Sequence, residues 1–331
     1  MRSESRRGGR RLSLIFGIAL LLMITTGVGA AERTRPVLIG ALNDSWGPTP
    51  AAVGLRDGLV ELGYRENEHF VIGIRFTQGD TAALPTAAKE LVQQGIDILF
   101  ATGPSAASAA QMATNRIPIV FAEVGDPLRL GLVQSFARPG GNITGVTNLD
   151  LELGPKRLEI FREIIPGLKR VLFAYNSTES FSIAEAKAYR EAARRLGIIL
   201  IEKPVRTQQE AQTTFGQVRK GEVHGILEPR SLSLNIPGFA LETASQRVIP
   251  TMFHTAFWVE RGGLASYGPN FYESGRQAAR LVDKILKGAS PAATPVEVNT
   301  KIEFAINVKV ARALGLAIPP EVLYRADRVF R

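Results

Sequence analysis

A chain of 331 residues with 45% hydrophobic side chains is long enough to bury the cores of two globular lobes. It holds no cysteine, which excludes disulfides, thiol catalysis and cysteine-ligated metal. The formal charge of +9 does not mark a nucleic-acid surface: Arg2, Arg6, Arg7, Arg10 and Arg11 less Glu4 supply +4 of it, and later charges are interspersed, as in Lys156-Arg157-Leu158-Glu159, with no basic cluster interleaved with aromatics.

Residues 1–30 read as a cleavable export signal. A basic stretch Arg2–Arg11 precedes the apolar run Leu12–Ile24, and small residues lead to cleavage after Ala30 or Ala31. The run has 13 residues, short of the roughly 20 that cross a bilayer, and no cysteine follows it to carry a lipid. The pair Arg10-Arg11 leaves both twin-arginine and general secretory export open. The expected location is the periplasm.

From Pro36 onward, short β-branched runs alternate with helical patterns. Strands are expected at Val37–Leu42, Val71–Thr77, Ile96–Ala101 and Ile117–Glu123. Helices fall between them, at Pro50–Leu62 closed by Gly63, at a face made by Leu84, Ala87, Ala88, Leu91 and Val92, and at alanine-rich Ser105–Thr114. The turn cluster Arg138–Asn142 and the extended stretch Ile143–Thr147 end this first series. A second series follows, with strands at Arg170–Tyr175, Ile198–Lys203, Val223–Leu227 and Ile249–Phe253 and helices at Pro155–Ile165, Ile183–Leu196 and Gln208–Lys220. Repeated βα units imply parallel sheets covered by helices, hence an α/β chain of two Rossmann-like lobes joined by a hinge.

The helix Phe271–Lys287 carries Ala278, Leu281, Val282, Ile285 and Leu286 on one face and is expected to rejoin the first lobe. The boundaries are then residues 36–147 with a return segment 268–295 for the first lobe, and 148–267 with the C-terminal segment 296–331 for the second.

The stretches GLRDGLVELGY, RIPIVF, the DP at Asp126-Pro127, SFARPGGNITG, GGLASYGPNF and TKIEFAINVKVARALGLAIPPEVLYRADRVF together resemble the tryptophan/tyrosine-type substrate-binding proteins of bacterial ABC transporters. The resemblance runs from about Gly40 to the end. It implies type I periplasmic binding protein architecture and capture of a small molecule for an ABC permease in the inner membrane. A monomer with no cofactor and no nucleic-acid partner is expected, and the resemblance does not name the ligand.

Ligands of parallel α/β sheets sit beyond the carboxyl ends of the strands. In the first lobe this selects Asp44, Ser45 and Trp46, then Thr102, Gly103 and Ser105, then Glu123 and Asp126. The second group could hold a carboxylate at a helix N-terminus, or Ser105 could simply cap that helix. Asp126 falls where the family resemblance places a site residue, and it could pair with a ligand ammonium or cap a turn with Pro127. In the second lobe the same rule selects Tyr175, Asn176, Glu228, Arg230 and Phe253, with Tyr267 on the crossing segment. The family usually has an acid where Arg230 stands, so a more acidic ligand, a different binding geometry, and an Arg230 that simply faces solvent are all open.

No GxSxG, GxGxxG or P-loop motif is present, and His69, His224 and His254 lack metal-ligand spacing. A binding protein is therefore expected, and not an enzyme. The alternatives are a periplasmic sensor subunit and, more remotely, a hydrolase on a similar scaffold.

Overall fold

The computed structural model describes residues 35–331 except 149 and 232; the expected export signal at 1–30 lies outside them. The first series gives β1 Val37–Asn43, α1 Pro50–Glu61, β2 Phe70–Phe76, α2 Leu84–Gln93, β3 Ile98–Thr102, α3 Pro104–Ala113, β4 Ile119–Val124 and β5 Ile143–Asn148. The second gives α4 Asp150–Ile164, β6 Arg170–Asn176, α5 Ser180–Leu196, β7 Ile199–Val205, α6 Gln208–Gly216, β8 Gly225–Leu227, α7 Ile236–Arg247, β9 Thr251–Phe253, α8 Ala256–Glu260 and β10 Ala265–Pro269. The chain ends with α9 Phe271–Leu286, β11 Glu297–Asn299, β12 Ile302–Asn307, α10 Val308–Ala313, α11 Pro320–Tyr324 and β13 Arg328–Phe330.

These strands form two sheets, one ordered β11-β5-β4-β3-β1-β2 and the other β13-β12-β10-β9-β8-β6-β7. Buried aliphatic clusters cover both faces of each sheet, as a parallel sheet with crossover helices requires. Every pairing in the first sheet is parallel. The second departs from the expected all-parallel pattern, because β12 runs antiparallel to β10. The chain leaves the second sheet through β10, builds α9 and β11 against the first, and re-enters as β12 at the end where β10 left, Ile302 lying beside Pro269.

Strand β11 pairs with β5, so the last return to the second lobe falls between Asn299 and Ile302 and not at residue 296. The register puts Glu297 beside Val146, extending the first sheet by one edge strand.

Helix α9 is held to the first lobe by small residues. A Cβ on Gly275 would sit 2.0 Å from the Ala51 carbonyl oxygen, and one on Gly54 2.0 Å from that of Tyr272, so α1 and α9 touch backbone to backbone. Asn270 starts α9 by accepting the Glu273 N–H at 3.1 Å, and Thr49 starts α1 by accepting from Ala52 at 3.2 Å ahead of Pro50. Near the end of β4 the register shifts between Phe121 and Val124, and Glu123 takes the left-handed conformation at φ 61°. That bulge turns the Glu123 carbonyl toward the other lobe.

Candidate functional site

The two sheets face each other across a cavity of about 730 Å³ at the carboxyl ends of β1, β3, β4 and β6. The first lobe contributes the turn Asn43–Pro50, the segment Thr102–Ser105 with Ser108, Glu123, and Phe271 at the start of α9. The second contributes Glu179–Phe181 at the start of α5, Arg230-Ser231, and the segment His254–Trp258 with Arg261.

The N-terminus of α3 is open on the cavity side. Its N-cap is Gly103 at φ 90°, which supplies no capping side chain, and Pro104 at the first helical position has no N–H to satisfy. Ser105 therefore sits inside the helix and is not its cap. Thr102 precedes the glycine with 4% exposure, and its Oγ1 has no hydrogen-bond partner. An unpartnered buried hydroxyl beside a helix N-terminus is arranged to receive an anionic oxygen.

The opposite polarity lies along the edge formed by Asp44 and Glu179. Burial pushes Asp44 up to about 6, helped by the nearby Glu179 charge and opposed by a backbone hydrogen bond and by Arg230. Glu179 Oε2 accepts hydrogen bonds from Ser231 Oγ at 2.7 Å and Ser182 Oγ at 3.1 Å, which fixes the carboxylate. Ser45 turns inward: its hydroxyl and N–H both donate to Asn43 Oδ1, the latter at 3.1 Å, stiffening the turn that presents Asp44 and Trp46.

Arg230 is buried and bridges the lobes. Its Nη2 donates to the Glu123 carbonyl, and its guanidinium lies 5.4 Å from the Phe181 ring centre and 6.0 Å from that of Phe271. A Cβ on Gly125 would meet the Phe181 ring at 2.8 Å, so this aromatic side chain of the second lobe rests on bare backbone of the first. A solvent-facing Arg230 does not match this geometry.

Behind the wall lies a buried polar network. Arg157 pairs with Glu185 at 3.6 Å, donates from Nε to the Tyr267 carbonyl at 2.7 Å, and bonds the Tyr189 hydroxyl. Glu185 also accepts the Arg230 backbone N–H at 3.1 Å. Glu228 Oε2 lies 2.8 Å from His254 Nδ1. Burial raises the Glu228 carboxyl well above its ordinary value and lowers His254 well below its own, so burial favours the uncharged form of each.

Of the residues selected from sequence, the structure brings Asp44, Ser45, Trp46, Thr102, Gly103, Ser105, Glu123 and Arg230 to the cavity wall. Six others sit elsewhere. Asp126 Oδ1 accepts the Arg129 N–H at 2.9 Å and caps a turn. Tyr175 stacks on Phe173 at 5.7 Å against the second-lobe core. Asn176 is tied to Ser233 and Thr178, and Phe253 stacks on Trp258. Glu228 belongs to the network behind the wall, and Tyr267 packs edge-on against Phe304. The sequence reading missed Glu179, Phe181, Phe257 and Phe271. Glu179 and Phe181 lie just past Asn176, beyond the same strand end, so extending the strand-end rule by one turn finds them.

Residues 48–330 match the family described as ABC transporter substrate binding protein. The chain belongs to that family. Among proteins this ABC substrate-binding chain is similar to is the "Tyrosine-binding protein" of Clostridioides difficile strain R20291, 26% identical over 268 residues, 80% of this chain and 76% of the other. An ABC domain from Streptococcus pneumonia, solved in complex with L-Trp, is similar over 89% of this chain and 100% of its own, with 28% identity and a TM-score of 0.78. A ligand-free, open substrate binding protein from Clostridium difficile covers 89% and 99% at 26% identity, with a TM-score of 0.62. The fold is the two-lobed α/β architecture of type I periplasmic binding proteins, and the protein binds a small-molecule solute.

Proposed function

We propose that the cleft captures an aromatic amino acid or a close analogue in the periplasm and presents it, as a monomer with lobes closed, to an ABC permease of the inner membrane. The observation that carries this is the cavity's composition. An open helix N-terminus with the unpartnered Thr102 hydroxyl suits a carboxylate, Asp44 and Glu179 suit an ammonium, and the rings of Trp46, Phe181, Phe257 and Phe271 suit an aromatic side chain. The tyrosine and tryptophan associated with similar proteins support the same class. Greater likeness to the L-Trp-bound structure than to the open one supports reading the present arrangement as closed.

The mechanism is capture by closure. A solute docks on one lobe, the hinge strands flex, and the second lobe covers it; the solute stabilises the closed state by its differential affinity for it. No catalytic step is assigned to the wall. The test is calorimetry with L-tyrosine and L-tryptophan, with mass spectrometry of the recovered solute. Micromolar or tighter binding with unchanged solute is expected. Thr102→Val is expected to weaken binding by about tenfold, the loss of one hydrogen bond of about 1–1.5 kcal/mol. Absence of binding, or a converted product, overturns the proposal.

A further inference from the structure

We infer that the cation of the ligand is held between two carboxylates from opposite lobes, Asp44 and Glu179, so that a positively charged group on the solute is what draws the lobes together. The inference rests on the proposed function and names the group that site selects.

The two carboxylates reach the cavity from different halves of the molecule. Asp44 stands on the turn after β1, and Glu179 is the N-cap residue of α5. Glu179 is not spent on capping: its side chain accepts no backbone N–H of α5 and is oriented by the hydroxyls of Ser182, in the first turn of α5, and Ser231. With nothing between them, Asp44 and Glu179 repel as the lobes close; a cation between them converts that repulsion into attraction. The unpartnered hydroxyl of Thr102 independently marks the cavity as a ligand site, with the complementary end for a carboxylate. The other charged or titratable groups on the wall are Arg230, Glu123, His254 and Arg261. Arg230 bonds the Glu123 carbonyl, His254 is bound by Glu228, and Arg261 stacks 3.4 Å over the Phe257 ring and donates to its carbonyl.

A proton linkage follows. Asp44 titrates at about 6 in the empty cleft. An ammonium beside it favours the ionised form, so binding at about pH 6 releases a fraction of a proton, and affinity falls by up to tenfold per pH unit below that value.

The experiment uses the mature protein and matched pairs of solutes, each an amine and its deaminated counterpart. The pairs are L-tyrosine with 3-(4-hydroxyphenyl)propionate, L-tryptophan with indole-3-propionate, and tyramine with 4-ethylphenol. Thermal shift and calorimetry are run on wild type, Asp44→Asn and Glu179→Gln. Expected is binding of the amine member only, weakened tenfold or more in each variant, with Asp44→Asn alone melting no lower than wild type at pH 7 because it removes a buried, repelled charge. Proton release, measured in buffers of different ionisation enthalpy, is expected to vanish in Asp44→Asn. Binding of tyramine but neither amino acid upholds the clamp and overturns the amino-acid reading. Deaminated members that bind within threefold of the amines overturn the clamp and leave the aromatic class standing. Silence across all pairs overturns both.

Discussion

Arg157 has no exposed surface, and its partners Glu185 and Tyr189 are also buried, so its charge is tolerated because the Glu185 carboxylate, the Tyr267 carbonyl and the Tyr189 hydroxyl surround it. Arg157→Met strands the Glu185 carboxylate and is expected to destabilise by about 3–5 kcal/mol in denaturant melts, whereas adding Glu185→Leu should recover much of that loss. The Glu228–His254 pair has a pH signature. Glu228, raised in the folded state, stabilises fully below the unfolded carboxyl value near 4.5, and that contribution fades as pH rises. His254, lowered in the folded state, acts oppositely: its stabilisation is lost as pH falls below the unfolded value of 6.5. Glu228→Gln keeps a neutral partner for His254 and removes the first dependence. Its stability relative to wild type is expected to improve steadily from about pH 5 to about pH 7.5 in melts at those values. None of this was legible in the sequence, because a lone Arg or Glu in a polar-looking segment gives no sign that the fold will bury it. Asp44 and Thr102 were legible, because strand ends of an α/β sheet point at the ligand whatever the side chain.

At the scale of elements, β1 to β9 and the longer helices other than α7 follow from periodicity, whereas the short β10, β13, α8 and α11 were not read. The return of α9 to the first lobe was readable because its apolar face, Ala278 to Leu286, needs a partner that the preceding segment does not offer. Helix α7 escaped notice: Pro237 and Gly238 look like breakers, yet the proline sits in the first turn, where it costs no hydrogen bond. The reversal of β12 was also hidden, since strand direction depends on which lobe the chain has just left. The α1–α9 contact yields a direct test. Gly275→Ala pushes a methyl group into the Ala51 carbonyl, and the helices must separate; a loss of about 2–3 kcal/mol is expected. Gly141→Ala, where a Cβ meets nothing, serves as the control and should leave the melt unchanged.

For the whole molecule, the Arg230 bond to Glu123 and the seat of Phe181 on Gly125 are direct contacts between lobes that do not need a ligand. Arg230→Gln is therefore expected to shift the empty protein toward open forms, seen as a larger radius of gyration in X-ray scattering, and to weaken solute binding by the same closing energy. The order in which the chain supplies its parts has a further consequence. The first lobe's core lacks Ala278, Ala279, Leu281 and Val282 until α9 exists, and its outer strand is β11. The second lobe's sheet lacks β12 and β13 until still later. Neither half can reach its final stability before α9 and the strands that follow it have been made, so the growing polypeptide stays unlocked past residue 286. Chains stalled at residue 265 are expected to be cut rapidly by protease, and chains stalled late enough to free residue 331 from the exit tunnel to resist it. A polypeptide that delays its own locking in this way remains threadable through a narrow channel until those late segments are made.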